Sequence, residues 1–446
     1  MKLRVEIGRV GKSITPQMIV TKQCQGFALV SALLLVVVVG IVAVTVLQTT
    51  STEIKISGNQ RQAVQDFYAA EAGLAEAKAR LRNRPGTEQF FIADLGQNAN
   101  PIWSAYIVTS TSWTPNDDQS FSSQLLNYFP QPGNPTSSAI QPNSMQSLLP
   151  YWIKVRHKTE YDAEQTGHKA ETPHYLDLDG TNKKHQVANV GNVIFYGYSN
   201  KDSIIPQPLT IQGPTPWLPV KMVTVHGGNG ASGVLLEAEL FHPPGPNHLG
   251  AVYAAGAVTF AGQGGAIYGH DACGGAPSLP PVYSGSLVTS GEAMQFDGGP
   301  TTPYQGGVEL DLSQALTGLK SGAISVQSGL SNQESGSSPD SATYFIQGTN
   351  QSPTVIRNFQ GRGMLLVNGS AILEGEVSWE GMIIVNGELI IQGDGAAITL
   401  QGGLWVSALK QMGGQLSVQY NSCFIKSALL SQPVKVRTWK EVSSGF

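Results

Sequence analysis

The sequence predicts an α+β protein. It should have a long amino-terminal helix, a mixed strand-and-loop region, and a mainly β carboxy-terminal part built as a parallel β-solenoid (β-helix). Three observations lead to this prediction. An uncharged apolar run, Phe27 to Leu47, continues into a proline-free segment with helical periodicity. Glycine is unevenly placed, with 13 of the 51 glycines in residues 1–200 and 38 in residues 201–446. A glycine-spaced pattern recurs at a fixed offset in the second half.

Composition excludes several classes of protein. The 446 residues give room for two or three domains, and only 13% are charged, against about 25% in a typical soluble domain. A formal net charge of −4 gives no reason to expect nucleic-acid binding. The three cysteines form no C-x-x-C motif, which argues against a zinc site or a dense disulfide framework.

The first element is a membrane-spanning helix. Phe27 to Leu47 is 21 residues long and carries no charge, and about 20 such residues cross a bilayer. Five basic residues and one acidic residue precede it, so the chain should run from inside to outside across the inner membrane. A secretory signal peptide would have a shorter apolar stretch followed by an A-x-A site, and residues 48–56, QTTSTEIKI, offer none.

The helix should continue beyond the membrane to residue 83. Residues 48–83 contain no proline, and an apolar stripe at helical spacing should pack on a head domain; its members are Val64, Phe67, Leu74 and Leu81. The alanines at positions 63, 70 and 77 flank this stripe, and Glu76 lies four residues before Arg80 in the favourable order. Residues 83–86, NRPG, end the helix.

The start of the apolar run resembles a type IV prepilin. Lys22-Gln23-Cys24-Gln25-Gly26 followed by Phe27 matches the basic leader ending in glycine. The resemblance implies that a prepilin peptidase cuts between Gly26 and Phe27 and that the new amino terminus, Phe27, is methylated. A start at Met18 would shorten the leader to nine residues, and both starts stay open.

Position 31 departs from the pattern of the major pilins. That family carries a glutamate as the fifth mature residue, where this chain has Ser31. A carboxylate inside the bilayer is costly unless a neighbouring subunit pairs with it. Ser31 therefore indicates a subunit that lies at the tip or is of low abundance. The alternative interpretation is that Ser31 is merely a small residue that this position tolerates.

Residues 57–74, SGNQRQAVQDFYAAEAGL, resemble the amino-terminal motif of PilX-type minor pilins. In that motif a Gly-Asn pair is followed by an alanine, an aromatic residue and Ala-Glu-x-x-Leu. The resemblance covers residues 24–82, and its closest rival is the large K-type pseudopilin of type II secretion. It implies an assembly role with other minor pilins and the pilus machinery, and a complex that can carry a PilY-type adhesin.

The middle region, residues 87–245, reads as strands and loops. Strands are expected at residues 151–155, 193–198, 222–225 and 234–240, and the proline-rich stretch 130–135 reads as a loop. Residues 177–182, DLDGTN, partly resemble a calcium-binding loop. The glycine is misplaced and the twelfth position is Ala188, so a turn is favoured over calcium.

The carboxy-terminal region contains an internal repeat. Copies with the pattern G-x5-G-x5-G begin at Gly363 and Gly381, an offset of 18 residues, and an earlier copy begins at Gly250. A partial copy begins at Gly403. Constant offset favours a parallel solenoid over a meander of hairpins, although Asn-Gly pairs also suit hairpin turns. Residues 270–360 are less regular and are expected to be an excursion.

These elements divide the chain into four expected parts. Residues 1–26 form the leader, 27–83 the transmembrane and amphipathic helix, 84–245 the head, and 246–446 the solenoid. Cys273 and Cys423 are the cysteines left after cleavage, and we expect them to pair in an oxidising compartment as readily as to stay free.

The sequence indicates a non-enzymatic protein with no catalytic residues, metal or cofactor. His270-Asp271 is an isolated pair, and no hydrolase, zincin or P-loop motif occurs. Two functions stay open: a minor pilin that moves from the inner membrane to the pilus at the cell surface, and a membrane-anchored solenoid that binds surfaces or glycans. Adhesion, motility and DNA uptake are all compatible uses of such a pilus.

Overall fold

The computed structural model describes residues 25–82, 104–108, 151–159, 162, 219–228, 233–243, 245–291, 293–307, 310–326, 329–331 and 341–442. The chain divides into two compact units, Met1–Gln62 and Ala63–Phe446. The expected leader up to residue 24, the loop 130–135, the strand 193–198 and the turn 177–182 all lie outside the described residues.

The amino-terminal helix α1 runs from Gln25 to Arg80. Its 56 residues correspond to about 84 Å at 1.5 Å per residue. Lys78 and Arg80 lie in the last turn, where basic side chains stabilise the helix by interacting with the negative end of its dipole. The helix ends three residues before the predicted position, and the chain turns at Leu81 and Arg82.

An antiparallel five-stranded sheet contains the three predicted strands that fall on described residues. The strand order is β1-β2-β3-β4-β19. The strands are β1 (Ser104–Val108), β2 (Tyr151–His157), β3 (Lys221–Gly227), β4 (Val234–Phe241) and β19 (Lys435–Val442). Alternation of apolar residues along β2, β3 and β4 places one row on the helix side, where it forms a core with Ala70, Ala77 and Leu81.

The last strand corrects the predicted domain scheme. Residues 246–446 were expected to form one solenoid, but β19 pairs with β4 in the antiparallel sheet, with Lys435 opposite Phe241. Residues 242–434 are therefore an insertion between two neighbouring strands. Sequence order could not reveal this, because the pairing joins strands almost 200 residues apart.

The inserted region is a parallel sheet. All pairs between its described strands are parallel. Its strands are β5 (Val252–Ala254), β6 (Val258–Phe260), β7 (Gly265–Tyr268), β8 (Val282–Ser284), β9 (Val288–Ser290), β10 (Met294–Asp297), β11 (Tyr304–Gln305), β12 (Ile324–Val326), β13 (Leu330–Ser331), β14 (Ala342–Gln347), β15 (Thr354–Asn368), β16 (Ala371–Ile391), β17 (Ala397–Gln411) and β18 (Gln415–Tyr420). Two short helices accompany them, α2 (Leu312–Leu319) and α3 (Ser422–Leu430).

The glycine repeat sets the register of this sheet. Gly363 lies opposite Gly381, as the offset of 18 predicts, and Gly381 lies opposite Gly402. The partial copy therefore begins at Gly402 and not at Gly403. A Cβ on Gly381 would lie 2.2 Å from the carbonyl oxygen of Gly363, and Gly381 has a φ of 128°. Glycine is required there because neighbouring backbones approach too closely for a side chain.

The Asn-Gly pairs do not form hairpin turns. The amide of Asn386 donates to the side-chain oxygen of Asn368 at 3.0 Å, and Asn368 donates to Gln347 at 3.3 Å. These amides form a ladder across successive parallel strands. The hairpin alternative is wrong for these two pairs, because the strands that carry them pair in parallel.

The strands of this sheet are not arranged in sequence order. Residues 404–411 of β17, near the end of the inserted region, pair with β5 and β6 at its beginning. Residues 282–305 extend the sheet on one side, and 324–347 extend it on the other. The expected excursion at 270–360 is therefore largely wrong. Its strands of two to six residues belong to the sheet, but they lack the glycine spacing that marks the longer copies.

Candidate functional site: the amino-terminal helix and its docking face

No described residue packs around the apolar part of α1. From Phe27 to Leu47 the side chains are exposed, and this is the one described helix that is long and apolar enough to cross a membrane. Ser31 lies on this exposed segment. The hydroxyl of Thr45 donates to the carbonyl of Ile41 at 2.9 Å, and Thr49 repeats this with Thr45. Such internal bonds satisfy hydroxyl groups where water is absent.

The carboxy-terminal part of α1 packs on the antiparallel sheet through small residues. Ala70, Gly73 and Ala77 are buried at spacings of three and four. A Cβ on Gly73 would lie 2.5 Å from Cγ1 of Val225 and 3.0 Å from Cδ2 of Tyr151. The helix therefore lies directly against β2 and β3, and we call Ala70, Gly73 and Ala77 the docking face.

The predicted stripe lies beside this face and not at its centre. Leu81 is buried, and Phe67 and Leu74 are partly buried against the same core. Val64 is 52% exposed, so the prediction that it packs on the head is wrong as far as the described residues are concerned. The stripe was predicted from large apolar residues. A helix that lies this close to a sheet has room only for alanine and glycine along the line of contact.

A buried polar cluster fixes the last turns of the helix. The guanidinium of Arg80 pairs with Oε1 of Glu76 at 2.6 Å, and the hydroxyl of Tyr151 donates to Oε2 of Glu76. Burial, followed by the charge of Glu76, raises the pKa of Tyr151 and keeps its hydroxyl a donor. The sequence indicated the Glu76–Arg80 spacing, but Tyr151 is 75 residues away and carried no signal.

A second buried cluster lies where β4, β19 and the end of β2 meet. The ammonium of Lys158 lies 2.6 Å from Oε2 of Glu239, and Arg437 lies 3.2 Å from the other oxygen of that carboxylate. Burial lowers the pKa of Lys158, although Glu239 opposes the shift. The cluster joins the strands on both sides of the insertion. Sequence analysis missed it because its members are 81 and 198 residues apart.

Cys273 and Cys423, for which the sequence leaves pairing and free thiols equally open, lie at one end of α3. The structure joins Cys273 and Cys423 by a disulfide, with their Cα atoms 5.8 Å apart. Beside it, the carboxylate of Asp271 accepts from the backbone and hydroxyl of Ser422 at 2.8 and 2.7 Å. Burial alone would raise the pKa of Asp271, but hydrogen bonds from Ser422, Cys273 and Ala276 hold it below its usual range. Asp271 and the disulfide together fasten the start of α3.

His270 is not isolated. Its Nδ1 lies 2.6 Å from Oγ of Ser278, and its Nε2 lies 3.2 Å from Oδ1 of Asp297. The three residue types match those of a hydrolase triad, but the His270 and Asp297 side chains are about half exposed. Water competes with such contacts, so we assign them to closure of the loop between β7 and β8.

The described residues offer no metal centre, because no three His, Cys, Asp or Glu side chains converge among them. The expected turn at residues 177–182 lies outside that part of the chain.

The comparisons with known proteins point to the same helix. Residues 25–75 match the family model described as PilX N-terminal. No curated protein and no solved structure matches the chain significantly. The matched segment includes the exposed apolar run and the first part of the docking face. The match confirms, over residues 25–75, the resemblance to PilX-type pilins that the sequence motif indicates.

Proposed function

We propose that this chain is a type IV pilus minor pilin, a structural and assembly subunit of the complex that initiates the pilus or forms its tip. The observation that carries this proposal is the PilX N-terminal match on a helix whose apolar half is exposed. Such a helix needs lipid or other apolar helices around it. The inner membrane before assembly and the helical core of a pilus after assembly both provide that environment.

Ser31 supports a place at or near the tip. A hydroxyl at this position can bond within the helix and needs no charged partner, whereas a carboxylate would need one. A subunit with no neighbour ahead of it has no such partner. The PilX-type motif and the presence of Ser31 in place of a glutamate therefore both favour a minor pilin at or near the tip.

The inserted parallel sheet supports the proposal that the subunit carries a large additional domain on its head. We propose that it is a β-solenoid carried between β4 and β19, with the antiparallel sheet as the pilin-like head proper. The domain scheme then becomes a leader at 1–26, a helix at 27–83, a head formed by parts of 84–241 with 435–442, and an inserted solenoid. Neighbouring ends at Phe241 and Lys435 allow such an insertion without distorting the head sheet.

Processing gives the first test. If Gly26 and Phe27 flank the prepilin peptidase site, Gly26→Val should leave full-length protein in the membrane. The control is Gly40→Val, which adds the same side chain where a Cβ meets nothing within 4 Å. Intact mass and amino-terminal sequencing should show a methylated Phe27 in the wild type and in the control. Unchanged processing of Gly26→Val would show that the prepilin interpretation is wrong.

Assembly gives the second test. The proposed partners are prepilin peptidase, other minor pilins, the assembly machinery and a PilY-type adhesin on the finished complex. Immunogold labelling of sheared pili should place the protein at filament ends. Labelling confined to the cell membrane would favour the anchored adhesin. Co-purification with secretion-system pseudopilins would instead favour the K-type alternative.

A further inference from the structure

The parallel register aligns outward side chains of six strands into two straight rows, which together we call the polar face. One row contains Gln295, Ala266, Ser417, Thr399, Ser378 and Gln360. The other contains Asp297, Tyr268, Gln419, Gln401, Glu380 and Arg362. Adjacent strands lie about 4.8 Å apart, so each row is about 24 Å long.

Burial shows that these residues point away from the core. Along β17, Thr399 and Gln401 are exposed, whereas Ile398 and Leu400 are buried. The same alternation holds along β16 and β18. The rows are therefore one continuous surface of the sheet.

Nine of the twelve residues of the polar face are uncharged, and most of them carry hydrogen-bonding groups. Four glutamines and three hydroxyl residues with short side chains make up most of it. Arg362 and Glu380 neutralise each other, with Nε and Oε2 2.7 Å apart, and Asp297 faces His270. Tyr268 adds an aromatic ring with a polar edge.

Several of these groups have no partner within the described part of the chain. The side chains of Gln295, Gln360, Gln401 and Thr399 are exposed and make no hydrogen bond to any described residue. Each glutamine amide offers two donors and one acceptor oxygen. An array of donors and acceptors at regular spacing can bond a ligand that carries hydroxyl groups along its length.

We propose that the polar face binds an extended, uncharged polysaccharide. Nucleic acid needs phosphate contacts from several lysines or arginines, and this face has one arginine, already paired. A protein interface needs an apolar or aromatic centre, and a membrane surface needs an apolar and basic face. A neutral glycan needs what is present: amides, hydroxyls and one aromatic ring. This proposal does not depend on the role in the pilus.

Calorimetric titration of the full-length protein tests this proposal. The protein is held in a detergent without a sugar head group, since alkyl glycosides would compete. The neutral probes are cellohexaose, chitohexaose and maltohexaose, and hexagalacturonate is the acidic comparator. We expect at least one neutral hexasaccharide to bind, and Thr399→Arg to weaken that binding at least about tenfold because it places a bulky charge at the centre of a row.

The matched control is Glu388→Arg, which adds the same side chain at an exposed position of β16 outside the polar face. It should bind like the wild type. Gln360→Ala with Gln401→Ala removes two amides without adding bulk and should weaken binding several-fold, which separates lost contacts from misfolding. Absence of binding by all three neutral probes would overturn the proposal. Equal affinity in Thr399→Arg and Glu388→Arg, or binding of the acidic probe alone, would also overturn it.

Discussion

Replacing Gly73 by leucine should loosen α1 from the antiparallel sheet. Gly73 lies at the centre of the docking face, and a Cβ there would already be 2.5 Å from Cγ1 of Val225. Ordinary contact between carbon atoms is about 3.5–4.0 Å, so the first added carbon overlaps by about 1 Å. Tyr151, whose Cδ2 would be 3.0 Å away, blocks escape to one side while its hydroxyl is held by Glu76.

The expected cost follows from two opposing terms. Overpacking a close contact costs about 1–3 kcal/mol, and leucine, with three carbons beyond the Cβ, belongs at the upper end. Leucine also favours the helix over glycine by about 0.8 kcal/mol, which offsets part of the loss. The net destabilisation of the head should be about 2 kcal/mol.

Urea unfolding of the full-length protein in micelles measures this change through tryptophan fluorescence, to which Trp152 on β2 contributes. The control is Gly58→Leu, because a Cβ on Gly58 meets nothing within 4 Å and gains only the helix preference. The Gly73→Leu midpoint should fall, and the Gly58→Leu midpoint should stay or rise. Equal midpoints for the two variants would refute the close approach of helix and sheet.

Three further predictions concern the buried hydroxyl of Tyr151, the disulfide and two buried histidines. Tyr151→Phe removes the donor to buried Glu76 and should cost about 1–3 kcal/mol in urea unfolding; an unchanged midpoint would contradict the cluster. Cys423→Ser should lower stability by up to about 5 kcal/mol for a loop of 150 residues, and reductant should shift the wild type but not the variant. Burial lowers the pKa of His242, helped by Lys221, and of His248 to about 4, from 6.5. Both histidines are neutral in the folded state, so their contribution to the free energy of unfolding should be fully present above pH 6.5. It should fall by about 1.4 kcal/mol per pH unit for each histidine between pH 6.5 and pH 4, because the unfolded state takes up protons. A pH-independent unfolding midpoint over this window would argue against buried histidines.

The helix and the glycine register were predictable because their signals are local. Phe27 to Leu47 is apolar without interruption, and its length alone indicates a membrane span. The 18-residue offset between Gly363 and Gly381 reports directly on strands that lie side by side. In both cases the residues that determine the structure are close in sequence, or repeat at the spacing at which they meet.

The docking face was harder to predict because small residues carry little signal. Val64 and Phe67 carry the stronger hydrophobic signal because they are large, but the helix contacts the sheet through Ala70 and Gly73. Hydrophobic periodicity indicates which side of a helix is apolar. It does not show how closely a sheet approaches, and that distance decides whether large or small residues lie at the centre.

The sequence by itself determined the apolar helix, the PilX-type motif and the parallel stacking of the glycine repeats. Tertiary structure alone decided that β19 returns to the antiparallel sheet, that residues 404–411 stack on β5 and β6, and that the polar face forms across six strands. The physical reason is the range of the interactions. Propensity and periodicity act over a few turns of chain, whereas strand pairing between residues such as Phe241 and Lys435 depends on which surfaces the rest of the fold leaves to be buried.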